Sequence, residues 1–157
     1  MKIAVYGVGS PFGTDNIAKN VIAKLKIKLQ DTPPKYEINI DYFDRPSIYL
    51  LELMKGCQTV HLIDAVVSNN KPGMLYRIDA ISSLNPEETF FSTHALGVAE
   101  VLSLGKVLAC LPEKIIIHGI EINPNLPQNA DDFNVASECL AKKIAKEFSA
   151  GKAWFAL

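Results

Sequence analysis

Thr59 to Val67, TVHLIDAVV, is the most apolar strand-like run in the chain, and it carries one carboxylate, Asp64. Its β-branched residues suit a packed, extended backbone. A charge in such a strand is costly unless it is paired or ligated. The same stretch therefore predicts a buried strand and marks a place where chemistry could gather.

Working outward, Lys2–Val8 (KIAVYGV) is a second short apolar run that leads into the turn residues Gly7 and Gly9. Lys114–Ile122 (KIIIHGIEI) is a third. Between them, Asn16–Gln30 sets Ile17, Val21, Ile22, Leu25 and Leu29 on one face and its lysines elsewhere, the pattern of an amphipathic helix capped by Thr14 or Asp15. Pro33–Pro34 breaks the chain. Tyr36–Phe43 then alternates apolar and polar residues, as a strand with one buried face should. Pro46–Met54 reads as a short helix, Gly73–Ile78 as a strand, Ala95–Ala109 as a helix, and about Phe133–Ser149 as a final helix. The connection between the strands at 59–67 and 73–78 is short, which favours an antiparallel neighbour there.

Strands alternating with helices predict an α/β fold: a three-layer α/β/α sandwich, phosphorylase/hydrolase-like, on a mostly parallel five-stranded sheet with one antiparallel strand. Such sheets place ligands at the carboxyl ends of their strands. At 157 residues the chain suits one domain, 1–157. Apolar residues make up 48% and charged residues 21%, and no apolar run reaches the roughly 20 residues of a spanning helix. The 16 basic and 17 acidic residues give a net charge of −1, which leaves no electrostatic footprint for nucleic acid or an anionic membrane. The start, MKIAVYGVGS, lacks the pattern of a signal peptide, so a cytoplasmic location is expected. Cys57, Cys110 and Cys139 are widely spaced and form no Cys-x-x-Cys pair, which suits reduced structural thiols.

The residues at the expected sheet edge admit several chemistries. Gly7-Val8-Gly9 lacks the later glycine of a dinucleotide turn, since Phe12 stands at that position, and no Gly-Lys-Ser/Thr follows to make a P-loop. Asp41 or Asp44 could imitate a ribose-binding acid, although acids are frequent at strand ends. Asp64 could be a ligand or could simply cap backbone amides. His94 stands at the entrance of the apolar helix ALGVAEVLSLG, where a capping role is the plainer reading. His61 and His118 lie inside strands, and a satisfied core or surface role suits them better. Asp15 and Asn16 follow the first strand and face the same edge. Imidazole and carboxylate groups together are good ligands for nickel, zinc and similar divalent ions, and three of them leave positions open for substrate.

Assembled in order, these segments resemble the nickel-iron hydrogenase maturation endopeptidases, which process the C-terminus of hydrogenase large subunits. The resemblance covers about residues 2–149. GVGSPFGTDNIA (Gly7–Ala18) is similar to the family's G-x-G-N-x-L-x-x-D-[DE]-x-x-G, IDAVVSNNKPG (Ile63–Gly73) to its D-A-x-x-x-x-x-P-G, and STHALGVAEVL (Ser92–Leu102) to its S-x-H-x-x-x-x-x-x-[LV]-L. HGIEINP is a weaker fourth match.

The resemblance implies a metal-dependent endopeptidase that removes a C-terminal extension from a large-subunit precursor after nickel insertion. It implies a nickel site of Asn16, Asp64 and His94, with Asp64, His94 and Asp15 as the catalytic set. The nickel would be supplied by the substrate, with another divalent metal as the alternative. The expected partner is the hydrogenase large-subunit precursor, and the protein is expected to be a monomer. The chain departs from the family pattern at Asn16, where an acid is usual, at Ser10 and Lys19, and at Phe43-Asp44-Arg45-Pro46, where Gly-Gly-Thr is usual. These departures mark a divergent member. They keep open a non-catalytic binding homologue and, less directly, a small-molecule or nucleotide enzyme on the same fold.

Overall fold

Five strands and four helices follow one another in a computed structural model that describes residues 1–9, 16–31, 34, 36–45, 47–82 and 97–150. They are β1 (Lys2–Val8), α1 (Ile17–Asp31), β2 (Glu37–Phe43), α2 (Tyr49–Met54), β3 (Thr59–Val66), β4 (Leu75–Asp79), α3 (Val98–Val107), β5 (Lys114–Glu121) and α4 (Ala130–Ser149). The sheet runs in the order β2-β1-β3-β5-β4. β1 pairs in parallel with β2 and β3, β3 pairs in parallel with β5, and β4 alone is reversed, against β5.

The apolar pattern explains the order. β1, β3 and β5 are near-continuous apolar runs, buried along almost their whole length, and they occupy the middle of the sheet, where both faces are covered. β2 alternates between exposed and half-buried residues, and β4 is largely exposed or half-buried; these two form the edges. Side chains alternate across each strand, so the core divides into two layers. Ile3, Val5, Ile63 and Ile120 pack with α1 and α4 on one face, while Ala4, Tyr6, Leu62 and Ile117 pack with α2 and α3 on the other. Tyr6 ties the second layer together: its hydroxyl donates to the Leu53 carbonyl at 3.0 Å and accepts from Asn39 Nδ2 at 3.2 Å.

Three expectations change. β4 is antiparallel, as its short connection suggests, but its hydrogen-bonded neighbour is β5 rather than β3. Both edges of β3 are already taken by β1 and β5, so the chain crosses over β5, a span of about 10 Å from two strand spacings. Gly73 belongs to the turn before β4, with φ +87°, rather than to the strand. The last helix begins at Ala130, three residues earlier than the apolar pattern indicates, because Asn129 caps it: the Asn129 side chain accepts from the Asp131 N–H at 3.0 Å. The thiols of Cys57, Cys110 and Cys139 are all free, and burial pushes the Cys57 thiol up. Among the described residues no helix is long and apolar enough to cross a membrane.

Candidate functional site

The carboxyl ends of β1, β3 and β5 lie side by side because the three strands are parallel neighbours. β1 ends at Val8 and the chain turns through Gly9, whose N–H donates to the Phe43 carbonyl at 2.7 Å. A Cβ at Gly9 would lie 2.1 Å from the Tyr42 hydroxyl and 3.0 Å from the Asp44 carbonyl, so the close approach of the chain at this turn favours a glycine.

Asp64 sits near the end of β3 and is 2% exposed. Alternation places it on the α2/α3 face, and its Oδ1 accepts the Ala65 N–H at 2.8 Å. Across the β3–β5 pairing Asp64 stands opposite Gly119, so no side chain projects beside it from β5. A Cβ at position 119 would lie 2.8 Å from Val66 Cγ1, which shows how closely this strand end is packed. Asn16 is exposed at the entrance of α1, where its carbonyl accepts the Asn20 N–H at 2.7 Å. It therefore occupies the capping position of the helix that leaves β1, on the same sheet edge as Asp64.

Asp15 and His94 lie outside the described residues, as do Thr14 and positions 92–96 of the Ser92–Leu102 motif. Of the expected set, the structure thus describes Asn16, at the start of α1, and Asp64, near the end of β3 on the face that packs against α2 and α3. Both offer oxygen donors, which fits a divalent cation. Among the described residues no group of three or more His, Cys, Asp and Glu side chains is placed to hold a metal ion.

Of the core and surface roles open to His61 and His118, the structure shows the core one. Both are buried, on the α1/α4 face, with His61 Nδ1 2.8 Å from His118 Nε2 and the Phe148 ring edge-on to His61 at 5.6 Å. Burial holds His61 well below the usual histidine range, and burial with the Arg77 and Lys143 charges lowers His118 to about 3.

One residue at this edge was not singled out from the sequence. Glu121 ends β5 with 0% exposure, on the same face as Asp64, and its carboxylate accepts from Ser68, Tyr76 and Asn123. The reasoning applied to Asp64, a charge inside an apolar strand, applies equally to Glu121 in KIIIHGIEI. A second feature is a shallow, open hollow beyond β1 and β2, lined by Val8, Phe43, Leu50 and Leu53 together with the exposed Arg45 and Tyr49.

The family model for hydrogenase maturation proteases matches residues 45–130, more than half of the chain. No curated protein matches the chain in sequence. Among solved structures, it is similar to an endopeptidase from Escherichia coli, with a TM-score of 0.73 and 22% identity over 96% of this chain and 94% of that one. It is also similar to the hydrogenase maturating endopeptidase HybD from E. coli, with a TM-score of 0.67 and 22% identity over 92% and 90% of the two chains. The [NiFe] hydrogenase maturation protease HycI from Thermococcus kodakarensis KOD1 gives a TM-score of 0.62 and 23% identity over 92% and 90%. At these identities the structural likenesses carry the fold.

Proposed function

The chain belongs to the hydrogenase maturation protease family, a family of peptidases, and from that membership we propose that it removes the C-terminal extension of a nickel-iron hydrogenase large-subunit precursor after nickel insertion. The observation that carries this reading is that the matched stretch, 45–130, contains both Asp64 and His94, with Asp64 buried at the carboxyl edge where α/β sheets place their ligands.

In this reading the precursor's own nickel is part of the substrate, held by Asp64, His94 and either Asn16 or Asp15. Holding it seats the scissile peptide beside the cleft, where water can attack. Asp64 supplies a carboxylate that is shielded from bulk solvent, which strengthens its attraction for a cation. Asn16 supplies a neutral amide oxygen, a weaker ligand than an acid. The protein acts as one domain, a cytoplasmic monomer.

The test is incubation with a nickel-loaded large-subunit precursor, with mass spectrometry of the precursor's C-terminus. The expected result is trimming of the extension, abolished by Asp64→Ala and by His94→Ala. A folded wild-type chain that trims no precursor across several candidate hydrogenases would overturn the reading. The change at position 16 favours one rival, a homologue that docks the precursor without cutting it. That rival predicts co-purification with an untrimmed precursor.

A further inference from the structure

A buried carboxylate needs a reason, and Glu121 has more partners than strand pairing requires. The Ser68 N–H donates to its two oxygens at 3.1 and 3.0 Å, and the Ser68 hydroxyl donates to Oε2 at 2.5 Å. The Tyr76 hydroxyl donates to Oε2 at 3.0 Å and the Asn123 N–H to Oε1 at 3.0 Å. Burial alone would raise the pKa of this group, but the hydrogen bonds from Ser68, Asn123 and Tyr76 outweigh it and hold Glu121 below the usual carboxylate range. It is therefore an anion at neutral pH, with its lone pairs committed.

The donors come from three places: the start of the segment between β3 and β4, the body of β4, and the turn after β5. The backbone of Glu121 closes the same ring, because its carbonyl accepts the Gly73 N–H at 2.8 Å and its N–H donates to the Met74 carbonyl at 2.8 Å. Asn123 and Asn70 complete it. Asn123 Nδ2 donates to the Asn70 carbonyl at 2.9 Å, and Asn70 Nδ2 donates to the Ser68 hydroxyl at 3.1 Å and the Tyr76 hydroxyl at 2.9 Å. The 67–74 segment is thus fastened to the last residue of β5 at its start, through Ser68, and at its end, through Gly73 and Met74, while Asn70 in its middle is held by Asn123. Glu121 pairs with Val66, two positions beyond Asp64 on the same face of the sheet.

A chemical role for the Ser68–Glu121 pair is the obvious alternative, with the serine as nucleophile and the carboxylate as base. The depressed pKa argues against it, since a good general base titrates near the working pH. We propose that Glu121 is a positioning residue of the peptidase site: by gathering Ser68, Tyr76 and Asn123 it holds the 67–74 segment, and with it the strand end that carries Asp64, in the geometry that meets the precursor. This rests on the peptidase reading given above for its activity readout, and on the hydrogen-bond ring alone for its structural one.

The experiment compares the full-length wild type with Glu121→Ala and Glu121→Gln in two measurements. The first is amide hydrogen exchange over residues 67–74, and the second is kcat and KM for trimming of the nickel-loaded precursor. Glu121→Ala should raise exchange in that segment at least tenfold and lower kcat at least tenfold with KM changed less than threefold. Glu121→Gln keeps an acceptor oxygen, so it should recover part of both. Should Glu121→Ala fail to fold, Ser68→Ala and Tyr76→Phe each remove one hydroxyl donor and should show smaller changes in the same direction. Unchanged exchange in a folded Glu121→Ala overturns the proposal, as does raised exchange with kcat intact. A wild type that trims nothing sinks the peptidase reading instead, while the exchange comparison still decides whether Glu121 holds the segment.

Discussion

Moving this protein from pH 7 to pH 5 should remove about 4 kcal/mol of folding stability through two histidines that are buried in the folded state. His61 is 0% and His118 3% exposed, their rings lie 5.1 Å apart with planes 9° from parallel, and His61 Nδ1 is 2.8 Å from His118 Nε2. Burial is the largest influence on both. For His61 the charges of His118, Arg77 and Lys114 add to it, and for His118 those of Arg77 and Lys143. Every one of these acts against protonation, so the folded pair stays neutral down to about pH 3 for His118, whereas the unfolded chain takes up protons near 6.5. Between those values the unfolded state binds more protons, so stability falls as pH falls. For a histidine that stays neutral while folded, the step from pH 7 to 5 costs about 1.9 kcal/mol, and two cost about 4. If the hydrogen-bonded pair takes up one shared proton within this window, the loss halves to about 2 kcal/mol. Urea unfolding followed by circular dichroism at pH 7, 6 and 5 reads the slope directly. A variant carrying His61→Leu and His118→Leu should lose most of the slope, and the difference between the two chains isolates the pair from every other titrating group. Glu121 stays out of this window, because its hydrogen bonds hold it below the usual carboxylate range. Equal slopes in wild type and variant would refute the reasoning.

Two further outcomes follow from the site's geometry. Gly119→Ala would set a Cβ 2.8 Å from Val66 Cγ1 and 3.4 Å from Tyr76 Cβ, and overpacking of this kind should lower stability by about 1–3 kcal/mol. An unchanged urea midpoint would show that the strand end is looser than described. Asn16→Asp restores a charged oxygen at the first loop and should tighten nickel or cadmium binding roughly tenfold in calorimetric titration. No change would remove Asn16 from the proposed ligands and leave Asp15 in its place.

Much of the architecture was legible because it is encoded locally. Lys2–Val8 is a strand with the bounds its apolar run indicates, and Thr59–Val66, Lys114–Glu121 and the amphipathic α1 differ from expectation by a residue or so at their ends. The contrast between continuous and alternating patterns separates the central strands from the edge strand β2, since it records whether one face or both are covered. Asp64 stood out for a related reason: an isolated charge in an apolar strand is visible without any partner in view. Asn129 was also readable, as a capping residue followed by Asp131 and Asp132 at the start of α4, but apolar periodicity alone begins that helix at Phe133.

The sequence by itself determined which segments fold, which strands are buried on both faces, and that Asp64 needs a partner or ligand. These depend on periods of two and 3.6 residues, set by neighbours in the chain. Only the tertiary structure decided that β4 lies against β5, that His61 reaches His118 across 57 positions, and that Glu121 collects Ser68 from 53 positions away. Such pairings are not written in any local period. They arise when strand edges compete for partners and when a buried polar group must find its donors wherever the folded chain happens to bring them.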